Sequence, residues 1–240
     1  MTILKVDTVS GIGTEGTVFE GDITFDSLNY MTLPKGTTTQ SNRGRGILMG
    51  GIYPETTSME TYSLISSSNS VAFGTLGSTA IAWGGAMGNA TRSIIGGGNG
   101  QINTIEYVEL TTLGNAADFG DLTVGRRHAG PLSNSTRGIW GGGETAGATT
   151  QTDTIDYVTI ATTGNATDFG DLFLAVYSVR GCSASHTRGM WNGGYTTGYI
   201  NIIQYVTIAT TGNGADWGDM ANAKGGYNCT TSDCHGGLSE

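Results

Sequence analysis

Three histidines, three cysteines and a set of recurring aspartates are the residues of this chain whose types could support chemistry. Zinc needs ligands at close spacing, such as paired His or Cys a few residues apart. His128, His186 and His235 stand singly, at non-equivalent places in the pattern described below, and no Cys-x-x-Cys pair occurs. The odd cysteine count, Cys182, Cys229 and Cys234, does not form a disulfide framework. Cys229 and Cys234 could pair, but free buried thiols are the favoured reading. The aspartates recur as Asp118/Asp121, Asp168/Asp171 and Asp216/Asp219. Carboxylates gathered in a ring could bind calcium. Against this, Ala72 and Thr75 take their places in the first unit, and isolated pairs lack the oxygen density of a calcium loop. Aspartates accepting local backbone N–H bonds at turns are the simpler reading. The expectation is no catalytic residue, no metal, no cofactor and no enzymatic activity.

The elements that position these residues are repeats. RGILMGG starts at Arg45, RSIIGGG at Arg92, RGIWGGG at Arg137 and RGMWNGG at Arg188. A tyrosine follows in each unit, at Tyr62, Tyr107, Tyr157 and Tyr205, and then an aromatic at Phe73, Phe119, Phe169 and Trp217. Three landmarks in the same order four times over, 45 to 51 residues apart, define a structural unit. Within it, DTIDYVTIAT alternates as a strand that is apolar on both faces at its centre, as in a sheet packed between two others. The Gly-Gly pairs end the preceding strand. Gly114-Asn115, Gly164-Asn165 and Gly212-Asn213 suit a two-residue II′ hairpin turn. RRHAGPLSNS and YSVRGCSASH supply a further strand ahead of the Arg-Gly strand. The order is strand, Arg-Gly strand, Tyr strand, aromatic strand. Four strands per unit of this length make one blade, so the fold expected is all-β, a propeller of four repeats over residues 43–240 behind a short β-rich segment, 1–42. Residues 224–237 resemble the first strand of another unit and could complete the first sheet. Alternatively, residues 34–44 supply that strand, or the four copies form part of a larger intermolecular assembly.

The bulk properties agree with many short strands and tight turns. Glycine numbers 41, charged residues make up only 13% and helical periodicity is absent. The net charge of −9 and the lack of a basic stripe argue against nucleic-acid binding. No apolar run reaches membrane-span length, and MTILKVDTVSG reads as no secretory signal.

The unit resembles the kelch repeat, which ends its second strand in Gly-Gly, carries Tyr in the third and an aromatic in the fourth. Gly142-Gly143, Tyr157 and Phe169 match, as do Gly193-Gly194, Tyr205 and Trp217. The Gly-Asn turns depart from the pattern, as does Phe where Trp is usual. The phrasing TRGIWGGG…TIDYVTIATTGNATDFGDL is similar to kelch-like repeats in virion proteins of tailed phages, marine ones especially, and residues 4–38 are similar to the start of phage fibre and appendage proteins. The resemblance implies a virion component at the particle surface, a tail-fibre or appendage adhesin. Residues 1–42 would contact other virion proteins or bring about homo-oligomerisation, and loops would meet a host glycan or protein. The alternative is a capsid decoration or tail-scaffold protein without a ligand. The loop after Gly-Gly varies most between units, and Tyr195 and Tyr199 within it are the binding candidates. Two further positions are weighed on their residues. Arg45, Arg92, Arg137 and Arg188 could attract an acidic ligand, although pairing with carboxylates or carbonyls of a neighbouring blade is favoured. Trp140 and Trp191 alternate with Leu48 and Ile95, which favours core over sugar stacking.

Overall fold

The computed structural model describes residues 44–52, 55–64, 66–78, 81, 83–145, 150–179, 181–224 and 230. The chain divides between Ser41 and Asn42, and every described residue belongs to the second unit. The segment 1–42, the closing strand expected after residue 224, and Cys229, Cys234 and His235 lie outside the described residues.

The described residues are all-β, in antiparallel sheets of three and four strands. The first sheet is β1 (Arg45–Ile52), β2 (Glu55–Ser63) and β3 (Val71–Thr75). The second is β4 (Gly85–Gly88), β5 (Arg92–Gly96), β6 (Thr104–Glu109) and β7 (Ala117–Asp121). A small sheet of two-residue strands follows, β8 (Arg126–Arg127), β11 (Glu144–Thr145) and β12 (Thr150–Gln151). The third large sheet is β9 (Gly130–Ser133), β10 (Arg137–Gly141), β13 (Thr154–Thr159) and β14 (Thr167–Asp171). The fourth is β15 (Gly181–Ala184), β16 (Arg188–Asn192), β17 (Ile200–Thr207) and β18 (Ala215–Lys224). Each Arg-Gly strand thus pairs with its Tyr strand, and the Tyr strand with its aromatic strand. The first sheet has three strands among the described residues, lacking the counterpart of β4, β9 and β15.

One irregularity recurs in all four large sheets. The pairing between the Tyr strand and the aromatic strand slips at Met59/Glu60, Ile105/Glu106, Ile155/Asp156 and Ile203/Gln204. In the third sheet Ile155 faces Gly170 while Asp156 faces Asp168, which leaves Phe169 as the extra residue. A bulge bends the strand and re-aims one side chain. Here it turns Phe73, Phe119 and Phe169 inward, to between 2% and 4% exposure. The following glycine accommodates the bend at positive φ, +143° at Gly120 and +137° at Gly170.

The buried side chains fall into three clusters. Met59, Phe73, Ile81, Ile95 and Val108 fill the space between the first and second sheets. Met87, Ile94, Phe119, Trp140 and Val158 fill that between the second and third. Leu132, Ile139, Phe169, Trp191 and Val206 fill that between the third and fourth. Strands apolar on both faces are explained by this face-to-face succession. The first strands β4 and β9 are neighbours, as are β9 and β15.

Candidate functional site

Each joint between successive sheets is built from the same parts. The Gly-Asn turns are not two-residue hairpins: β6 ends at Glu109 and β7 begins at Ala117, and the intervening segment leaves its own sheet. Gly164 N–H donates to Phe119 O at 2.7 Å and Ala166 N–H to Asp121 O at 2.7 Å, while Asn165 Oδ1 accepts Asp121 N–H at 3.1 Å. Gly212, Gly214 and Asn213 repeat the arrangement on Phe169 and Asp171, and Gly114, Ala116 and Asn115 on Phe73 and Thr75. The turn lengthens because it carries the hydrogen bonds of an inter-sheet clip. Serving the sheet before it, rather than its own, is a tertiary demand that hairpin rules cannot express.

The repeated arginines lie at these joints. Arg45 Nη1 donates to Leu110 O at 2.7 Å, Arg92 Nη1 to Ala161 O at 2.8 Å and Arg137 Nη1 to Ile208 O at 2.7 Å, each reaching the next sheet. Arg92 and Arg137 also cover the rings of Tyr107 and Tyr157 at 4.8 and 4.7 Å, and those tyrosines meet Phe119 and Phe169 edge-on at 5.7 Å. Arg188 lies over Trp217, which meets Tyr205 edge-on at 5.0 Å. Trp140 and Trp191 are fully buried, and their indole N–H groups donate to Gly85 O and Gly130 O of the preceding sheet. Tyr62 is exposed on the first sheet. Asp168 and Asp216 accept N–H bonds from Gly170 and Gly218 at their own bulges. Among the described residues no three His, Cys, Asp or Glu side chains converge. Cys182 donates to Val179 O at 3.2 Å, and burial pushes its thiol pKa well up.

A polar position that sequence reasoning missed lies just before each Tyr. Glu106, Asp156 and Gln204 are buried at 5%, 0% and 0% exposure and reach the loop after the aromatic strand of the preceding sheet. Glu106 accepts Gly77 N–H at 2.8 Å, Gln204 accepts Leu174 N–H at 2.8 Å, and Asp156 accepts from Thr123 through both its amide and its hydroxyl. Asp156 also pairs with fully buried Arg126 at 2.9 Å. The available signal was a polar residue recurring inside an otherwise apolar strand.

Among the described residues the constellation best suited to a ligand draws on the loops that precede the second, third and fourth sheets and on the loop between β16 and β17. Trp83 and His128 occupy equivalent places there, both with left-handed backbone, φ +69° and +58°. Such a conformation is uncommon for bulky residues and persists where packing imposes it. Their rings lie 4.9 Å apart, His128 stacks on Tyr177 at 6.4 Å, Tyr177 meets Tyr195 at 5.2 Å and Tyr195 meets Tyr199 at 5.4 Å. The result is a continuous row of five rings that ends in Tyr199, 62% exposed. Backbone pairing sets its register: Tyr195 bridges both Tyr177 and Tyr199, as β11 bridges β8 and β12 in the preceding unit. In that unit the same pairing places Glu144 opposite Arg127, which donates from Nε and Nη2 at 3.1 and 2.9 Å. The Arg127 hydrogen bond holds the Glu144 carboxyl below its usual pKa, with His128 Nδ1 3.6 Å away, and the Arg127 guanidinium lies 5.1 Å from the Trp83 ring. Trp83 and His128, with Gly85, Ala129 and Pro131, line an open pocket of about 270 Å³. The row therefore offers π-faces beside a fixed ion pair. Of its members the sequence singled out Tyr195 and Tyr199 for binding and weighed His128 only as a metal ligand. Trp83, His128 and Tyr177 belong to different units and no spacing rule joins them. No protein-family model matches this chain, and a search of the curated proteins finds no match.

Proposed function

We propose that the chain is a non-enzymatic virion protein of a tailed phage, a tail-fibre or appendage adhesin. Its four large sheets stand as kelch-like blades about a common axis, and the row from Trp83 to Tyr199 binds a saccharide of the host surface. The repeat phrasing and the contact between successive first strands support the blade arrangement. The observation that carries the binding reading is the ring row. Sugar rings present C–H faces that stack on aromatic planes while their hydroxyls seek charged partners, and Glu144 and Arg127 stand beside the row. Individually weak contacts would sum over many copies on one particle.

Glycan-array binding by the full chain tests this. Tyr199→Ala and Trp83→Ala should each weaken binding by about 1 kcal/mol, roughly fivefold. Purified chain should also compete with particles for adsorption to the host. A chain that binds no glycan and leaves adsorption unaffected would overturn the adhesin reading and leave the capsid-decoration or tail-scaffold role.

A further inference from the structure

The two faces of each sheet differ, and every joint uses one of each. The forward face offers a bulge glycine, an arginine and the amide just beyond the bulge. The backward face offers the turn asparagine and a large apolar side chain. At Gly120 and Gly170 a Cβ would meet the incoming Gly-Asn backbone at 2.5 and 2.6 Å, so these glycines record a filled groove. At Gly218, with the same φ of +139°, nothing lies within 4 Å. Beside it Trp217 is 50% exposed, where Phe73, Phe119 and Phe169 are nearly inaccessible. Among the described residues the opposite end is also uncovered. Leu48 is 54% exposed, where its counterparts Ile95, Trp140 and Trp191 are between 0% and 5%, and Asn69 of the first turn is exposed. Among the described residues no buried cluster joins the fourth sheet to the first.

We propose that these ends are the two halves of an intermolecular joint. The first sheet of one copy seats on the fourth sheet of another, head to tail. Leu48 takes the place that Trp191 takes in the third joint, Asn69 meets the Asp219 amide as Asn213 meets that of Asp171, and Arg188 reaches the backbone ahead of the incoming turn. The occupant is a second copy because each end presents the parts that the other lacks. Among the described residues nothing covers either face. A joint between unlike faces propagates, closing into a ring or extending as a filament according to its angle.

Sedimentation velocity of the full chain over a concentration series tests the proposal independently of any glycan. Wild type should exceed one copy. Leu48→Glu disables only the backward face and Arg188→Glu only the forward face, so each alone should associate roughly tenfold or more weakly, because a charge is placed in an apolar joint or facing carbonyls. An equimolar mixture of the two should form pairs, since one intact joint remains between them. Circular dichroism establishes that each variant is folded, and Asn69→Arg replaces Leu48→Glu if that variant is not. A wild type that stays single at every concentration, assemblies unaltered by both variants, or a mixture that does not pair would each overturn the proposal.

Discussion

Glu106, Asp156 and Gln204 occupy one repeat position and solve one problem three ways. Each satisfies the backbone of the loop beneath it, and the cost differs with charge. Burial raises the Glu106 pKa above its ordinary 4.5, with the Gly77 and Ser78 amides opposing less strongly. The folded protein therefore holds that proton more tightly than the unfolded chain. The resulting loss of stability sets in as pH rises through the window above 4.5 and persists at neutral pH. Glu106→Gln, the residue type of the fourth sheet, should raise the melting temperature at neutral pH and change little in acid below that window. Thermal melts across pH would show this, and a benefit confined to acid would contradict it. Arg126 and Asp156 form a fully buried pair in which Arg126 Nε and Nη1 have no partner among the described residues. Removing Asp156 alone should cost about 3–5 kcal/mol, because it strands a buried charge. The double change Arg126→Val with Asp156→Gln installs the Val176 and Gln204 combination of the fourth unit and should recover most of that loss in denaturant titrations.

At the scale of the element, the aromatic strand owes its shape to its neighbour as much as to its own sequence. The bulge sends one ring inward, the next glycine bends, and the Gly-Asn turn of the following sheet docks on that bend. Gly170→Ala should cost more than about 2 kcal/mol, since a methyl group would combine backbone strain with collision against Gly212. Gly218→Ala, with similar φ but open space, should cost only the strain, about 1 kcal/mol, at a dilution where the chain is single. The difference between these two denaturation free energies measures the docking. Equal losses would mean that the clip contributes nothing.

At the scale of the whole molecule, sheets packed in succession receive support from one side or from two. The second and third sheets have a buried cluster on each face, while β18 is exposed along most of its length. Local opening free energies follow buried contact, so amide exchange should be slowest in β6, β10 and β13 and fastest in β18 and the first sheet. Protection of β18 as strong as that of β10 in the single chain would contradict the open end.

The strands, their order and their aromatic landmarks were legible in the sequence because they are local: alternation, glycine and repetition are written in consecutive residues. Trp140 and Trp191 could be read as core from alternation with aliphatics at one repeat position. Leu48, at that same position, could not be read as exposed, because its burial depends on whether another sheet lies against it. The Gly-Asn turns were visible as turns, yet their hydrogen bonds go to the preceding sheet, a destination about 40 residues away along the chain. The ring row likewise draws Trp83, His128 and Tyr177 from three units. Sequence determined what each repeat is made of. Only the tertiary structure decided which repeat faces are filled and which side chains meet, because contacts between sheets depend on the neighbour's position and not on any residue's own neighbours in the chain.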